Sequence, residues 1–155
     1  MKIRPVTKQD VLQIIKLIGD VWAEYDCILD AETEEHALLA PDDYFHKRSG
    51  EFWVVEESDE IIATVAVMLN DEKTAELKYL YVNPKNRKQG LGKDLTAHAI
   101  NFARAKGAGE MILWSDTRFT KAHRLYEKIG FEKTGTRELD DMNNSIEYGF
   151  KLNFN

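Results

Sequence analysis

One cysteine, Cys27, stands in 155 residues, so no internal disulfide can form and no thiolate cluster can hold zinc. The four histidines, His36, His46, His98 and His123, fall at no metal-ligand spacing, and no metal is expected. Positive charge is in deficit: 21 Lys and Arg against 27 Asp and Glu leave a net charge of −6. That balance argues against nucleic acid or an anionic membrane surface as a partner and fits a cationic one better. Long hydrophobic runs are missing too. Met1 to Asp10 alternates polar and apolar residues without the apolar core of a secretory signal, and no stretch is long enough to span a bilayer; the expected location is the cytoplasm. With no repeat, no low-complexity tract and no linker rich in Pro, Gly or Ser, one domain over residues 1–155 is expected. At 43% apolar residues, a chain of this size can bury about 70% of its unfolded surface.

Periodicity supplies the elements. Lys2 to Val6 reads as a short strand. Val11, Ile14, Ile15, Ile18 and Val21 follow helical spacing from Asp10 to about Trp22, with Thr7 or Asp10 as cap. Pro41, Asp42 and Asp43 open a shorter helix. Phe52 to Glu56, Ile61 to Leu69 and Thr74 to Val82 read as a three-strand meander. Leu91, Leu95, Ala99, Phe102 and Ala103 mark a helix closed by Gly107, and Met111 to Trp114 a strand. Ala122, Leu125, Tyr126 and Ile129 mark another helix, ended by Gly130. Phe131 to Thr136 and Ile146 to Leu152 complete the set as strands. The order implies a mixed sheet with helices on its faces.

The sharpest local feature is the basic, glycine-containing turn Val82-Asn83-Pro84-Lys85-Asn86-Arg87-Lys88-Gln89-Gly90-Leu91-Gly92-Lys93, which leads from a strand into a helix N-terminus. The first N–H groups of a helix lack internal acceptors and carry positive partial charge, so they suit a phosphate. Gly90 and Gly92 let an oxygen approach the backbone, and Arg87, Lys88 and Lys93 add charge. A nucleoside-triphosphate loop would need Gly at position 87 and Ser or Thr at 94, where Arg87 and Asp94 stand. A dinucleotide fingerprint would need glycine in place of Leu95 and a βαβ unit rather than a meander. Taken alone, the glycines fit a tight turn that serves only geometry better than a phosphate site.

Two motifs carry a resemblance. Val82-x-Pro84 followed by Arg87-x-x-Gly90-x-Gly92 resembles the coenzyme motif of the GNAT superfamily of acetyl-CoA-dependent N-acetyltransferases. Ala122-His123-Arg124-Leu125-Tyr126-Glu127-Lys128-Ile129-Gly130-Phe131 resembles that superfamily's other signature, in the correct order and about thirty residues downstream. The resemblance covers roughly Ala75 to Thr136. It implies an α/β (α+β) fold, a mixed and mainly antiparallel seven-stranded sheet flanked by about four helices. It also implies transfer of acetyl from acetyl-CoA to an amine without a metal. The coenzyme would lie on Leu80, Tyr81 and Val82 and on Arg87, Lys88, Gln89, Gly90, Leu91, Gly92 and Lys93. One departure is Phe119, where many members have an asparagine that contacts the coenzyme; Ser115 or Thr117 would have to supply that contact.

Such a transfer needs a neutral amine, an oxyanion stabiliser and a proton for the leaving thiolate. The resemblance places the base at Glu76, six residues before Val82, and the acid at Tyr126; the Val82 N–H would face the oxyanion. Without the resemblance, Glu76 reads as a solvent-facing strand carboxylate near Lys78 and Tyr126 as a core residue. Glu24, Asp26, Asp30, Glu32, Glu34 and Glu35 place six carboxylates in twelve residues without a Lys or Arg, either a solvated face or a rim that attracts a cationic small-molecule or peptide amine. A homodimer is compatible with the sequence. Two other functions fit the loop: a non-catalytic acyl-CoA sensor, and an interaction domain that uses it to bind an acidic partner.

Overall fold

The computed structural model describes residues 2–155. In chain order the elements are β1 (Lys2–Pro5), α1 (Val11–Ala23), α2 (Pro41–His46), β2 (Glu51–Glu57), β3 (Glu60–Leu69), β4 (Thr74–Val82), α3 (Leu91–Ala105), β5 (Glu110–Asp116), α4 (Thr120–Ile129), β6 (Glu132–Glu138) and β7 (Ile146–Asn153). The strands form one seven-stranded sheet in the order β1-β2-β3-β4-β5-β7-β6. Every neighbouring pair is antiparallel except β4 and β5, which run parallel and are joined by α3, the long crossover that a parallel pair requires. The expected mixed, mainly antiparallel sheet with four helices is what forms, and each strand boundary falls within two residues of the periodicity reading.

Two apolar layers cover the sheet. Ile14, Leu17, Ile18 and Val21 share one face of α1 and pack with Phe45 of α2 against Phe52, Val54 and Ala66. Leu95, Ala99 and Ala103 of α3 and Tyr126 of α4 pack on the opposite face, against Val65, Val67, Leu77, Leu113 and Phe150. Burial on both faces explains why β3 reads as a nearly continuous apolar run. The start of α1 is held by Asp10, whose carboxylate accepts from the Thr7 N–H at 2.8 Å and from Arg4 at 2.7 and 2.9 Å.

Two local departures from regular sheet prepare a site. The ladder between β4 and β5 consists of Thr74↔Glu110, Ala75↔Met111 and Glu76↔Ile112, while the strands continue to Val82 and Asp116, so the sheet splits beyond Glu76. In β4 there is also a bulge. Thr64 pairs with Tyr81 and Ala66 with Lys78, so Val65 lies opposite both Tyr79 and Leu80. Tyr79 takes φ +53°, rare for a bulky residue, and its carbonyl accepts from Thr64 Oγ1 at 2.7 Å. The extra residue shifts the phase of the strand: Leu77, Leu80 and Val82 face the α3/α4 layer, and Tyr79 and Tyr81 face α1.

Candidate active site

A cavity of about 490 Å³ fills the split between β4 and β5, within the size range of small-molecule sites. Both layers contribute to its wall. Leu77, Leu80, Val82, Leu113 and Tyr126 come from the α3/α4 side, and Val21, Trp22, Tyr79 and Tyr81 from the α1 side. The cavity is therefore walled by residues from both faces of the sheet.

At one end lies the basic loop. Pro84–Asn86 forms a single 3-10 turn started by the Asn83 side chain, which accepts from the Lys85 N–H at 3.0 Å. Lys88 and Gly90 then take φ +66° and +81°, and the chain enters α3. The N–H groups of Leu91, Gly92 and Lys93 open that helix without intrahelical acceptors. Of the residues assigned here from sequence, Leu80, Tyr81, Val82, Arg87, Lys88 and Gly92 line the cavity, whereas the exposed Gln89, Gly90 and Lys93 and the core-packed Leu91 do not. The two glycines divide their tasks. Gly90 supplies the left-handed conformation, with open space where a Cβ would stand, while a Cβ on Gly92 would come within 2.9 Å of Leu125 Cδ2. Gly92 thus lets α3 pack on α4. The Arg87 guanidinium is held by Glu24 rather than standing free.

Tyr126 is only 5% exposed, yet it lines the cavity. Burial pushes its phenol well above the ordinary tyrosine range, so the hydroxyl keeps its proton at neutral pH, and it has no hydrogen-bond partner among the described residues. The polar contact sought near Phe119 has one candidate in the wall: Ser115 lines the cavity with His123 Nε2 3.1 Å from its hydroxyl, and Thr117 does not line it. Burial lowers the His123 pKa and keeps that imidazole neutral. Phe119 packs edge-on to Tyr25 at 4.9 Å and to Tyr81 at 6.4 Å, extending an aromatic wall.

Carboxylates and aromatic rings line the other end. Glu76 accepts from Asn70 Nδ2 at 3.0 Å and lies 3.9 Å from Lys78 Nζ. Of the six carboxylates between Glu24 and Glu35, Glu35 alone lines the cavity; Glu24 holds Arg87, and Glu34 accepts from the Met142 N–H at 3.0 Å. The Tyr79 hydroxyl donates to Glu35 Oε2 at 2.5 Å, and Trp22 Nε1 donates to the Tyr81 hydroxyl at 2.9 Å. Glu147, bound by Arg137 at 2.7 Å, adds a carboxylate from β7. A clasp closes this end. Asn143 donates to the Ile28 carbonyl at 2.8 Å and accepts from its N–H at 2.9 Å, and Arg118 reaches both the Asn143 carbonyl, at 2.7 Å, and Cys27 Sγ. Sequence reading missed Tyr79, the clasp and the particular place of Glu35. Only the acidic run containing Glu35 hinted at any of them.

Comparison with known proteins agrees with this geometry. The model of the acetyltransferase (GNAT) family matches residues 17–131. N-acetyltransferase 8 of Homo sapiens is 35% identical over 97 residues, covering 59% of this chain and 43% of that protein. N-acetyltransferase family 8 member 3 of Rattus norvegicus is 30% identical over 134 residues, covering 81% and 59%. The chain spans about half the length of the curated relatives it matches. A crystal structure of an acetyltransferase from Streptococcus agalactiae 2603 superposes with a TM-score of 0.83 at 25% identity, covering 97% of this chain and 98% of that one. A GNAT-family acetyltransferase from Staphylococcus aureus Mu50 shares the fold with a TM-score of 0.87 at 18% identity, covering 99% of each chain. With the split sheet, the bulged strand, the loop entering α3 and a family match over most of its length, the chain belongs to the GNAT acetyltransferase family.

Proposed function

We propose that the chain acts as one domain that transfers the acetyl group of acetyl-CoA to a primary amine carried by a cationic small molecule or peptide. The observation that carries this reading is the split between β4 and β5. It leaves a bare strand edge leading to a basic helix N-terminus at one end and to a carboxylate-lined, aromatic pocket at the other. The residues present fit the coenzyme. The free amides of Leu91, Gly92 and Lys93, with Arg87 and Lys88 beside them, suit a pyrophosphate, and the open space at Gly90 leaves room for its oxygens. The Leu80 to Val82 edge offers backbone hydrogen bonds to the pantetheine arm. A Salmonella typhimurium protein of similar fold, with a TM-score of 0.76 at 19% identity over 99% of this chain and 94% of that one, is described with acetyl-CoA as its cofactor.

Bound acetyl-CoA would supply an acetyl thioester, and the chain supplies the groups that polarise it and move protons. Asn83 N–H donates to the Ile62 carbonyl at 2.8 Å, so by ladder alternation the Val82 N–H points into the split, placed to stabilise charge on the acetyl oxygen. Tyr126, held neutral by burial, donates a proton to the departing sulfur. An alkyl ammonium has a pKa of about 10.4 and must lose a proton before attack. Two carboxylates on the acceptor side are available for it: Glu76, where the family resemblance puts the base, and Glu35. Free-thiol release from acetyl-CoA in the presence of a panel of primary amines tests the reading. Amine-dependent release is expected. Coenzyme binding without release for any amine would contradict transfer and favour an acyl-CoA sensor.

A further inference from the structure

A base for an ammonium needs a free lone pair and access to the cavity. Glu76 has one oxygen occupied by Asn70 and the other facing Lys78. Glu35 differs. It lies at the end of the segment that follows α1, just before the 3-10 turn His36–Leu38, and lines the cavity half-buried. Its Oε2 accepts from the Tyr79 hydroxyl, and Oε1 has no partner among the described residues. Tyr79 can hold it there because the bulge at positive φ turns that ring to the α1 side of the sheet, between Phe45 and Phe52 at 6.2 and 6.0 Å. The other groups facing Glu35 are Lys78 of β4, Glu147 of β7 with its partner Arg137, the neighbouring Glu34, and the Tyr81 hydroxyl.

We infer that Glu35 is the carboxylate that takes the proton of the acceptor ammonium, with Tyr79 as its positioning residue; this assignment rests on the acetyl-transfer reading above. The ammonium gives one proton to Glu35, from which it passes to solvent. The neutral nitrogen then forms its bond to the acetyl carbon and loses a second proton as the carbon–sulfur bond breaks. Tyr126 supplies a proton to the sulfur, and the second nitrogen proton restores the phenol, so the balance is one amide, one thiol and one proton released. Burial supports the role by pushing the Glu35 carboxyl above the ordinary range, with the Tyr79 hydrogen bond and Lys78 pulling partly the other way. Tyr79, raised by burial and by the adjacent carboxylate, remains a donor.

The test compares the wild-type chain with Glu35→Gln, Tyr79→Phe and Glu76→Gln. It measures kcat/KM against pH with acetyl-CoA and either the best alkylamine of a panel (spermidine, phenethylamine, lysine amide) or hydroxylamine, an amine uncharged at pH 7. Glutamine keeps the shape of Glu35 and can still accept from Tyr79, and a thermal melt verifies folding. With the alkylamine at pH 7, Glu35→Gln is expected to lose roughly 10²-fold, and its rate should keep climbing about tenfold per pH unit towards the amine's own pKa of about 10.4. With hydroxylamine it should lose little. Tyr79→Phe should move the acidic limb to higher pH, and Glu76→Gln should keep the limb. Retention of the wild-type limb by Glu35→Gln overturns the assignment while leaving acetyl transfer intact. Thiol release with the wild-type chain no faster than the enzyme-free control for every amine, hydroxylamine included, whose uncatalysed attack on the thioester that control subtracts, overturns the transfer reading and this assignment with it.

Discussion

Arg87 grips both carboxylate oxygens of Glu24, at 2.7 and 3.1 Å, and latches the loop before α3 to the end of α1. The latch occupies a guanidinium that stands where the family resemblance places a coenzyme phosphate contact. Glu24→Gln should change stability by less than about 1 kcal/mol, as for a surface ion pair. It should tighten acetyl-CoA binding at low salt, because the freed arginine no longer shares its charge with a carboxylate. Calorimetric titration checks this, and weaker binding would mean that the latch pre-orients Arg87 for the coenzyme instead.

Gly90 isolates backbone conformation from contact, since its φ is +81° and the space where a Cβ would stand is open. Gly90→Ala should cost about 1–2 kcal/mol of stability through the left-handed conformation alone. That corresponds to a fall in Tm of about 2–4 °C per kcal/mol for a chain of this size. Gly90→Glu should carry the same strain and also abolish the thermal stabilisation given by acetyl-CoA. A Gly90→Glu variant that is stabilised like wild type would remove the loop from the binding site.

Tyr126→Phe deletes one oxygen that has no hydrogen-bond partner among the described residues, so the fold should be little affected. If that hydroxyl serves the thiolate, kcat should drop by roughly 10²-fold with little change in coenzyme affinity. A near-wild-type kcat would place the proton donor elsewhere.

Glu35 makes a prediction about stability as well as rate. Burial raises its folded-state pKa above the unfolded value of about 4.3. The folded state therefore holds the proton more tightly, and stability falls as pH rises from about 4.3 through the higher folded pKa, the deficit persisting above it. Glu35→Gln has no such proton to lose. Thermal melts should find the variant more stable than the parent at pH 8, with the gap closing at pH 4. A gap of equal size at both pH values would contradict the raised pKa.

Much of the fold was legible because its determinants are local. The helical spacing of Val11, Ile14, Ile15, Ile18 and Val21 and the glycines that end α3 and α4 need no distant partner to be read. The site was legible only in part. Alternation through Leu77, Tyr79 and Tyr81 suggests an unbroken strand, and the bulge leaves only a faint trace, the out-of-phase Leu80 and Val82. Gly90 and Gly92 look alike in sequence, and only the packing of Leu125 separates a conformational glycine from a close-contact one. Glu35 lies in a run of carboxylates that composition cannot rank. What distinguishes it is Tyr79, 44 residues away and turned towards it by that bulge. The clasp between Ile28 and Asn143 spans 115 residues and has no local signature.

The central claim is that the split between β4 and β5 carries an acetyl group from a coenzyme at the Gly90 loop to an amine at the carboxylate end. It is tested most directly with acetyl-CoA labelled in its acetyl group, incubated with the amine panel and either the wild-type chain or Gly90→Glu, the label being followed by mass spectrometry. The account predicts label on the amine nitrogen with the wild-type chain and only the uncatalysed background with the variant. Label that stays on the coenzyme with the wild-type chain, or reaches the amine equally fast with Gly90→Glu, would contradict it.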